Sequence, residues 1–418
     1  MRLCLSFLIC WCSVVFQPAR AAAAEPAPRG AAAILTLADA LARAEAGSPL
    51  VRRARAEREV VAAREVGASL LLPSNPLVSG AAGPYREPGI SSVELLLHAE
   101  QTIEIGGQRG ARRAVVSRAL QTAAWREQVA RIETRARVRA AYVAAQLARA
   151  QQDAAAAREA LMVTLLDAVR ARVAGGASSN VDLELARLER GVAARARSAA
   201  TLAAADLLAR LRVLIGAPPG EPIAVDPRVA VPPTRSTVLA DLLARAERQR
   251  AELEALRAGG AELDAEIARL RREAIPSPTL FVDVERDRPG QLFLGAGVAI
   301  PIPVWRRQQG ELALARAEKG RLEDERALAA REVALEVERA FQSVGAQSGA
   351  VQVMQQEVLP AADAAAGLLT EGWRAGKFDL FRVLQTLRDA SEARRLYLET
   401  LGELWDATIA LDRAVGGE

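Results

Sequence analysis

The stretch from Gly107 to Val173 reads GQRGARRAVVSRALQTAAWREQVARIETRARVRAAYVAAQLARAQQDAAAAREALMVTLLDAVRARV. It holds no proline and, after Gly110, no glycine. Ala, Arg, Glu, Gln and Leu dominate it, all good helix formers. Apolar residues recur at intervals of three and four: Val129, Ile132, Ala136, Ala140, Val143, Leu147, Ala150, Ala154, Ala157, Leu161, Leu165 and Ala168. That spacing makes a coiled-coil-like seam. One unbroken helix over the stretch would be roughly 100 Å long. A globular core needs no such helix, and the rest of the chain reads as parts arranged around it.

Just upstream the period changes from helical to two. Val93, Leu95, Leu97, Ala99, Ile103 and Ile105 alternate with Ser92, Glu94, His98, Glu100, Thr102 and Glu104, with Leu96 the main exception. This predicts a strand, apolar on one face and acidic-polar on the other. Gly83-Pro84 and Glu87-Pro88-Gly89 supply turns before it. A helix precedes the strands, from about Leu35 to Leu72, with Ser48-Pro49 a candidate start and Pro73-Ser74-Asn75-Pro76 the stop. Downstream, Gly175-Gly176 ends the long helix, and a second helix returns over 181–215.

The pattern then repeats. Leu239-Ala240-Asp241 echoes Leu37-Ala38-Asp39, and Pro276-Ser277-Pro278 stops a helix as Pro73 does. Leu280, Val282 and Val284 alternate with Phe281, Asp283 and Glu285. After the turn at Pro289-Gly290, Leu294, Ala296 and Val298 alternate with Phe293, Gly295 and Gly297. A second long helix is expected over 305–374 with a kink at Pro360, and a last helix over 379–414. Val138 and Tyr142 correspond to Val337 and Phe341, and Asp182 is read as the match of Asp379. The expected organisation is a signal peptide over 1–24 and a first repeat over 25–220, with its hairpin at 76–105 and long helix at 107–173. A linker over 221–237 leads to a second repeat over 238–418, with its hairpin at 279–301.

The 418 residues carry a formal charge of +4, with 55 Lys+Arg against 51 Asp+Glu. The basic residues are almost all Arg and alternate with acids along the helices, which reads as a salt-bridged helix surface and not as a nucleic-acid footprint. Arg2, the apolar run Leu3 to Phe16 and the small-residue tract Ala21 to Ala24 form a secretory signal, too short to span a membrane. All three cysteines, Cys4, Cys10 and Cys12, lie inside it. The mature chain would carry none, so disulfides are excluded. Lipidation of Cys10 or Cys12 is disfavoured, because Ile9 and Trp11 are bulky where a small residue is expected.

Four amphipathic strands cannot close a barrel, and in an exported protein their edges need partners. Three copies would supply about twelve strands, within the range of outer-membrane barrels. The long helices would leave one side of that barrel as a second, helical cylinder. Taken alone, the strands also fit an ordinary soluble sheet. Two other classes compete. A periplasmic coiled-coil adaptor would need lipoyl-like and β-barrel modules that the sequence lacks. A filamentous coiled-coil protein predicts no paired amphipathic strands.

The chain resembles the TolC-like outer-membrane efflux proteins over its mature length. The resemblance rests on the duplicated layout, the Leu35-Thr36-Leu37-Ala38-Asp39 opening and Asn75-Pro76-Leu77. It also rests on Glu104-Ile105-Gly106-Gly107-Gln108-Arg109 and on Arg374-Ala375-Gly376-Lys377-Phe378-Asp379-Leu380. The Asn-Pro and Glu-Ile-Gly-Gly-x-Arg elements are most similar to the branch serving heavy-metal cation exporters. The resemblance implies a mainly α protein with a transmembrane β-barrel. Long coiled-coil helices would form a periplasmic α-barrel, and four strands per chain a 12-stranded barrel in a homotrimer. It implies outer-membrane lipid around the barrel, a periplasmic adaptor and an inner-membrane resistance-nodulation-division pump as partners. It implies no enzyme activity, no cofactor and no nucleic acid.

The resemblance also places the loops joining each helix pair at the periplasmic tip. Gly176, Ser179, Asp182, Gly376, Asp379 and Arg382 are the residues expected to dock the adaptor and close the aperture. Rings of Asp182 and Asp379 would favour cations. The same acids also suit N-terminal helix capping, and many relatives carry an acid where this chain has Arg382. His98 is the only histidine. With Glu94 and Glu100 on its strand face it suggests a metal site, but a polar lumen wall is the better reading. Trp305 and Phe293 suit either an interfacial belt or ordinary packing. Gly106-Gly107-Gln108-Arg109-Gly110 lacks the lysine of a phosphate loop, and no catalytic or metal constellation is present.

Overall fold

A computed structural model describes residues 34–233, 238–286 and 291–417. The signal peptide with its three cysteines, the end of the linker and the Pro289-Gly290 turn lie outside the described residues. The described chain runs α1 (Leu37–Gly47), α2 (Pro49–Ala68), β1 (Leu77–Glu87), β2 (Ile90–Thr102), α3 (Gln108–Ala174) and α4 (Asn180–Leu214). It continues α5 (Leu239–Gln249), α6 (Ala251–Glu273), β3 (Thr279–Arg286), β4 (Phe293–Ala299), α7 (Gln309–Val353), α8 (Leu359–Arg374) and α9 (Leu380–Ala414). Among the described residues, no helix is long and apolar enough to cross a membrane.

Helix α3 is a single element of 67 residues, about 100 Å long. Nothing in its sequence breaks the i→i−4 ladder. Its distal half pairs with α4 as an antiparallel hairpin, and its proximal half carries α2 and α6. Helix α6 packs on α7 as well, so it joins the two halves below the sheet. The repeat is visible in the packing. In the first half, Val138, Tyr142, Ala40, Ala44 and Leu211 form one core. In the second, Val333, Val337, Leu242, Ala246 and Ala414 form another, with Phe341 against it. Tyr142 Oη donates to the Leu35 carbonyl at 2.9 Å, a bond that Phe341 cannot make.

The structure differs from the sequence reading at three places. The opening helix divides at Ser48, where Pro49 has no N–H and starts α2 afresh. The corresponding helix of the second half divides at Arg250, where no proline stands. There the buried guanidinium donates to the Ala414 carbonyl at 3.0 Å and to Glu336 at 2.8 Å, tying the break to the end of α9. Ahead of Pro360, where a kink is expected, the winding widens into a five-residue π turn over Met354–Val358. The wider winding relieves the clash between the proline ring and the carbonyl four residues back.

The two long helices start alike. Gly107 caps α3 in the left-handed region at φ 76°, and Gln308 caps α7 there at φ 59°. The next residue closes each turn. Gln108 accepts from the Gly106 amide at 2.8 Å, and Gln309 accepts from the Arg307 amide at 2.7 Å. Gln108 is buried and also donates to the Ile275 carbonyl at 3.1 Å, so it fastens the base of the first hairpin to the end of α6.

Candidate functional site

The strands form one antiparallel sheet in the order β1-β2-β3-β4. The central pairing joins the two halves of the chain: Thr102 faces Thr279, His98 faces Asp283 and Leu97 faces Val284. The register sorts the side chains into two faces. Val78, Val93, Leu95, Leu97, Ala99, Leu280, Val282, Val284, Leu294 and Val298 share one. The isolated chain leaves this face open, with Val78 at 70% and Leu294 at 71% exposure. Ser79, Glu94, His98, Glu100, Asp283 and Glu285 share the other. A sheet greasy on one side and acidic on the other suits a wall between lipid and water. Strands β1 and β4 each have a strand neighbour on one side only, among the described residues.

Phe293 sits on the polar face, opposite Glu285. Its ring lies across Gly295, where an added Cβ would stand 2.7 Å from it. The side chain nonetheless stays 61% exposed. Trp305, beyond β4, is 84% exposed.

At the other end of α3 lie the two hairpin tips. Each long helix ends in the same closure. Gly176 donates to Val173 at 3.0 Å and Ala177 to Arg172 at 2.7 Å; Gly376 donates to Trp373 at 2.9 Å and Lys377 to Gly372 at 2.8 Å. This double bond pattern requires a left-handed residue, and Gly176 and Gly376 supply it at φ 73° and 77°. The returning helices are capped differently. Ser179 and Asp182 form a reciprocal capping box. Asp379 alone caps α9, accepting from the Arg382 amide at 2.8 Å.

The caps reset the correspondence between the loops. Ser179 and Asp379 occupy the same capping position, so the counterpart of Asp182 is Arg382. The reading that matched Asp182 with Asp379 is corrected by one helical turn. Glycine positions and caps define the register, and the acid content of the loops does not. The two tips thus show an acid and a base at equivalent sites. The Arg382 guanidinium lies 6.0 Å from the Phe378 ring centroid, and Phe378 packs over Gly372.

Behind the tips, Met162, Leu165, Val169, Ala186, Trp373, Leu380 and Val383 form a core that holds the two hairpins together. Arg172 spans them, donating to the Trp373 carbonyl at 2.9 Å and lying 5.1 Å from its ring. Further along, buried Glu189 on α4 bonds Arg388 of α9, with Arg158 of α3 at 3.7 Å. Sequence reading missed this clamp, because its partners lie 199 residues apart. On α3, buried Glu127 binds Arg131 at 2.7 Å and Arg58 of α2 at 3.2 Å. Those bonds, Arg131 first, hold its carboxyl below the usual range despite burial.

Residues 241–417 match the family model described as outer membrane efflux protein. The cobalt-zinc-cadmium resistance protein CzcC of Cupriavidus metallidurans is 28% identical over 318 residues, 75% of each chain. The second half of the chain is thus similar to the outer membrane efflux proteins. Solved structures agree in fold. CusC superposes with a TM-score of 0.74 at 15% identity, over 91% of this chain and 92% of the other. The outer membrane protein VceC of Vibrio cholerae superposes at 0.71 and 16% identity, over 91% and 96%. The family model describes outer membrane efflux proteins and the solved structures share this fold. Among the described residues, no group of three His, Cys, Asp or Glu is placed to hold a metal ion.

Proposed function

We propose that this chain is an outer-membrane efflux channel, the outer-membrane member of a tripartite export system, and passes heavy-metal cations. Three copies close a barrel of about twelve strands, each β4 edge pairing with the next copy's β1. The two faces of the sheet are the observation that carries this reading: the apolar face meets lipid and the acidic face lines the lumen. The channel is passive. An inner-membrane pump of the resistance-nodulation-division type supplies the energy, and a periplasmic adaptor joins the two. The cargo assignment rests on the likeness to a cobalt-zinc-cadmium resistance protein and on the carboxylates of the polar face. The proposal includes a signal peptide over 1–24 and two repeats, 25–220 and 238–418, joined by 221–237.

The tips form the gate and the docking surface in this reading. Gly176, Ser179, Gly376 and Asp379 shape the loops. Asp182 and Arg382 then alternate around the aperture, acid and base, in a ring that closes by attraction. The test is metal tolerance of a metal-sensitive Gram-negative host carrying the channel with its pump and adaptor. Loss of cobalt, zinc or cadmium tolerance on deleting the channel alone supports the reading. Lost drug tolerance with unchanged metal tolerance would assign the cargo to drugs.

A further inference from the structure

The histidine of the sheet is held by two acids. His98 Nδ1 lies 2.6 Å from Asp283 Oδ1, across the pairing of β2 and β3. Its Nε2 lies 3.4 Å from Glu100 Oε2, on its own strand. Its ring stacks on Phe281 at 5.9 Å between centroids, and Phe281 lies across Gly297, where a Cβ would strike it. The ring is therefore fixed in orientation, with a carboxylate at each nitrogen. A neutral imidazole has one N–H and one lone pair, and would turn that lone pair toward a carboxylate. Only the doubly protonated ring donates in both directions.

The surroundings sharpen the point. On this face β2 also carries Glu94, and β3 carries Glu285. Strand β1 places Ser79 opposite His98, and β4 places Gly295 opposite Asp283. No lysine or arginine stands on this face among the described strand residues. His98 is thus the cation of an otherwise acidic wall.

We propose that His98 is a built-in counter-cation that sets the charge selectivity of the barrel lumen. As imidazolium it cancels part of the field of Asp283 and Glu100, so that passing cations meet a weakened attraction and are not trapped at the wall. The inference rests on the channel reading, in which this face lines water. Its substrate class is the mobile cation, read through charge and not through ligation.

The test uses the purified full-length protein in planar bilayers at 0.1 M KCl and pH 6. Spermine, a tetracation, is added on the barrel side. Its block reads carboxylate charge in the lumen. At about 10 Å from one uncovered charge, screened over one Debye length, the half-blocking concentration changes about threefold. His98→Gln should lower that concentration by about this factor. His98→Lys, which keeps a cation, should leave it at the wild-type value, and Asp283→Asn should raise it. Unchanged block in His98→Gln would overturn the proposal and leave His98 a strand staple. Should His98→Gln fail to assemble, unchanged block in Asp283→Asn overturns it equally. A wild-type protein that assembles no conducting channel would instead sink the channel reading itself.

Discussion

The clamp between α4 and α9 gives the sharpest mutational prediction. Glu189 is buried, and its carboxylate reaches Arg388 on α9 and approaches Arg158 on α3. Glu189→Gln keeps the size of the side chain and one acceptor but removes the charge. A hydrogen bond to a charged group contributes about 1.5–3 kcal/mol. Arg388 is 44% exposed, so water screens the pair and the lower end applies. A loss of about 1.4 kcal/mol is tenfold in the opening equilibrium of the α4–α9 contact. Amide hydrogen exchange by mass spectrometry on the detergent-solubilised protein reads this directly. Peptides over residues 183–195 and 380–395 should exchange about tenfold faster, while the proximal half of α3 stays unchanged. Exchange unaltered in both peptides would refute the reasoning and reduce the clamp to a contact without energetic weight. Replacing Glu189, Arg388 and Arg158 together by methionine should recover part of the loss, because all three charges of the clamp are then removed together.

Four further outcomes follow from the same geometry. Gly106→Ala would set a Cβ 2.9 Å from both Gln108 and Ile275, and overpacking of this kind costs about 1–3 kcal/mol; a lower thermal transition of the assembled protein measures it. Leu211→Ala empties a fully buried site in the first core, with an expected loss of about 2–5 kcal/mol, read as faster exchange of α1 and the end of α4. Glu127 is ionised more readily in the folded protein because of Arg131 and Arg58. Its contribution is present above the ordinary carboxyl value of about 4.3 and is lost as pH falls through the lowered folded value. Protection of α2 should therefore drop in acid in the wild type and stay flat in Glu127→Gln. At the tip, Arg382→Gln removes the base of the Asp182–Arg382 ring and should raise single-channel conductance. Asp379→Ala should cost about 1 kcal/mol of helix capping, and wild-type conductance in Arg382→Gln would take Arg382 out of the gate.

The long helices and the two-faced strands were legible because each rests on a local period, 3.6 or 2, that runs on for many residues. The break at Arg250 was not, because no breaker marks it; it depends on carbonyls at the far end of α9. Gln108 looked like an ordinary first-turn residue, yet its amide is buried against the end of α6. His98 was noticed with Glu94 and Glu100, but its nearer partner is Asp283, which only the β2–β3 register brings opposite. Gly176 and Gly376 mark the helix–helix loops in the sequence, while the pairing of their charges required the capping geometry. The contact of the Phe293 ring with Gly295 was not legible either, because it depends on a side-chain rotamer along β4.

The central claim is that four strands from each of three copies close one barrel in the outer membrane. The most direct measurement is the size of the protein in the outer-membrane fraction of a Gram-negative host, with samples run unheated and heated in detergent. The account predicts a trimer that resists detergent until heated and then runs as a monomer. A soluble periplasmic monomer or dimer would contradict it, because the edges of β1 and β4 would then have no barrel to close.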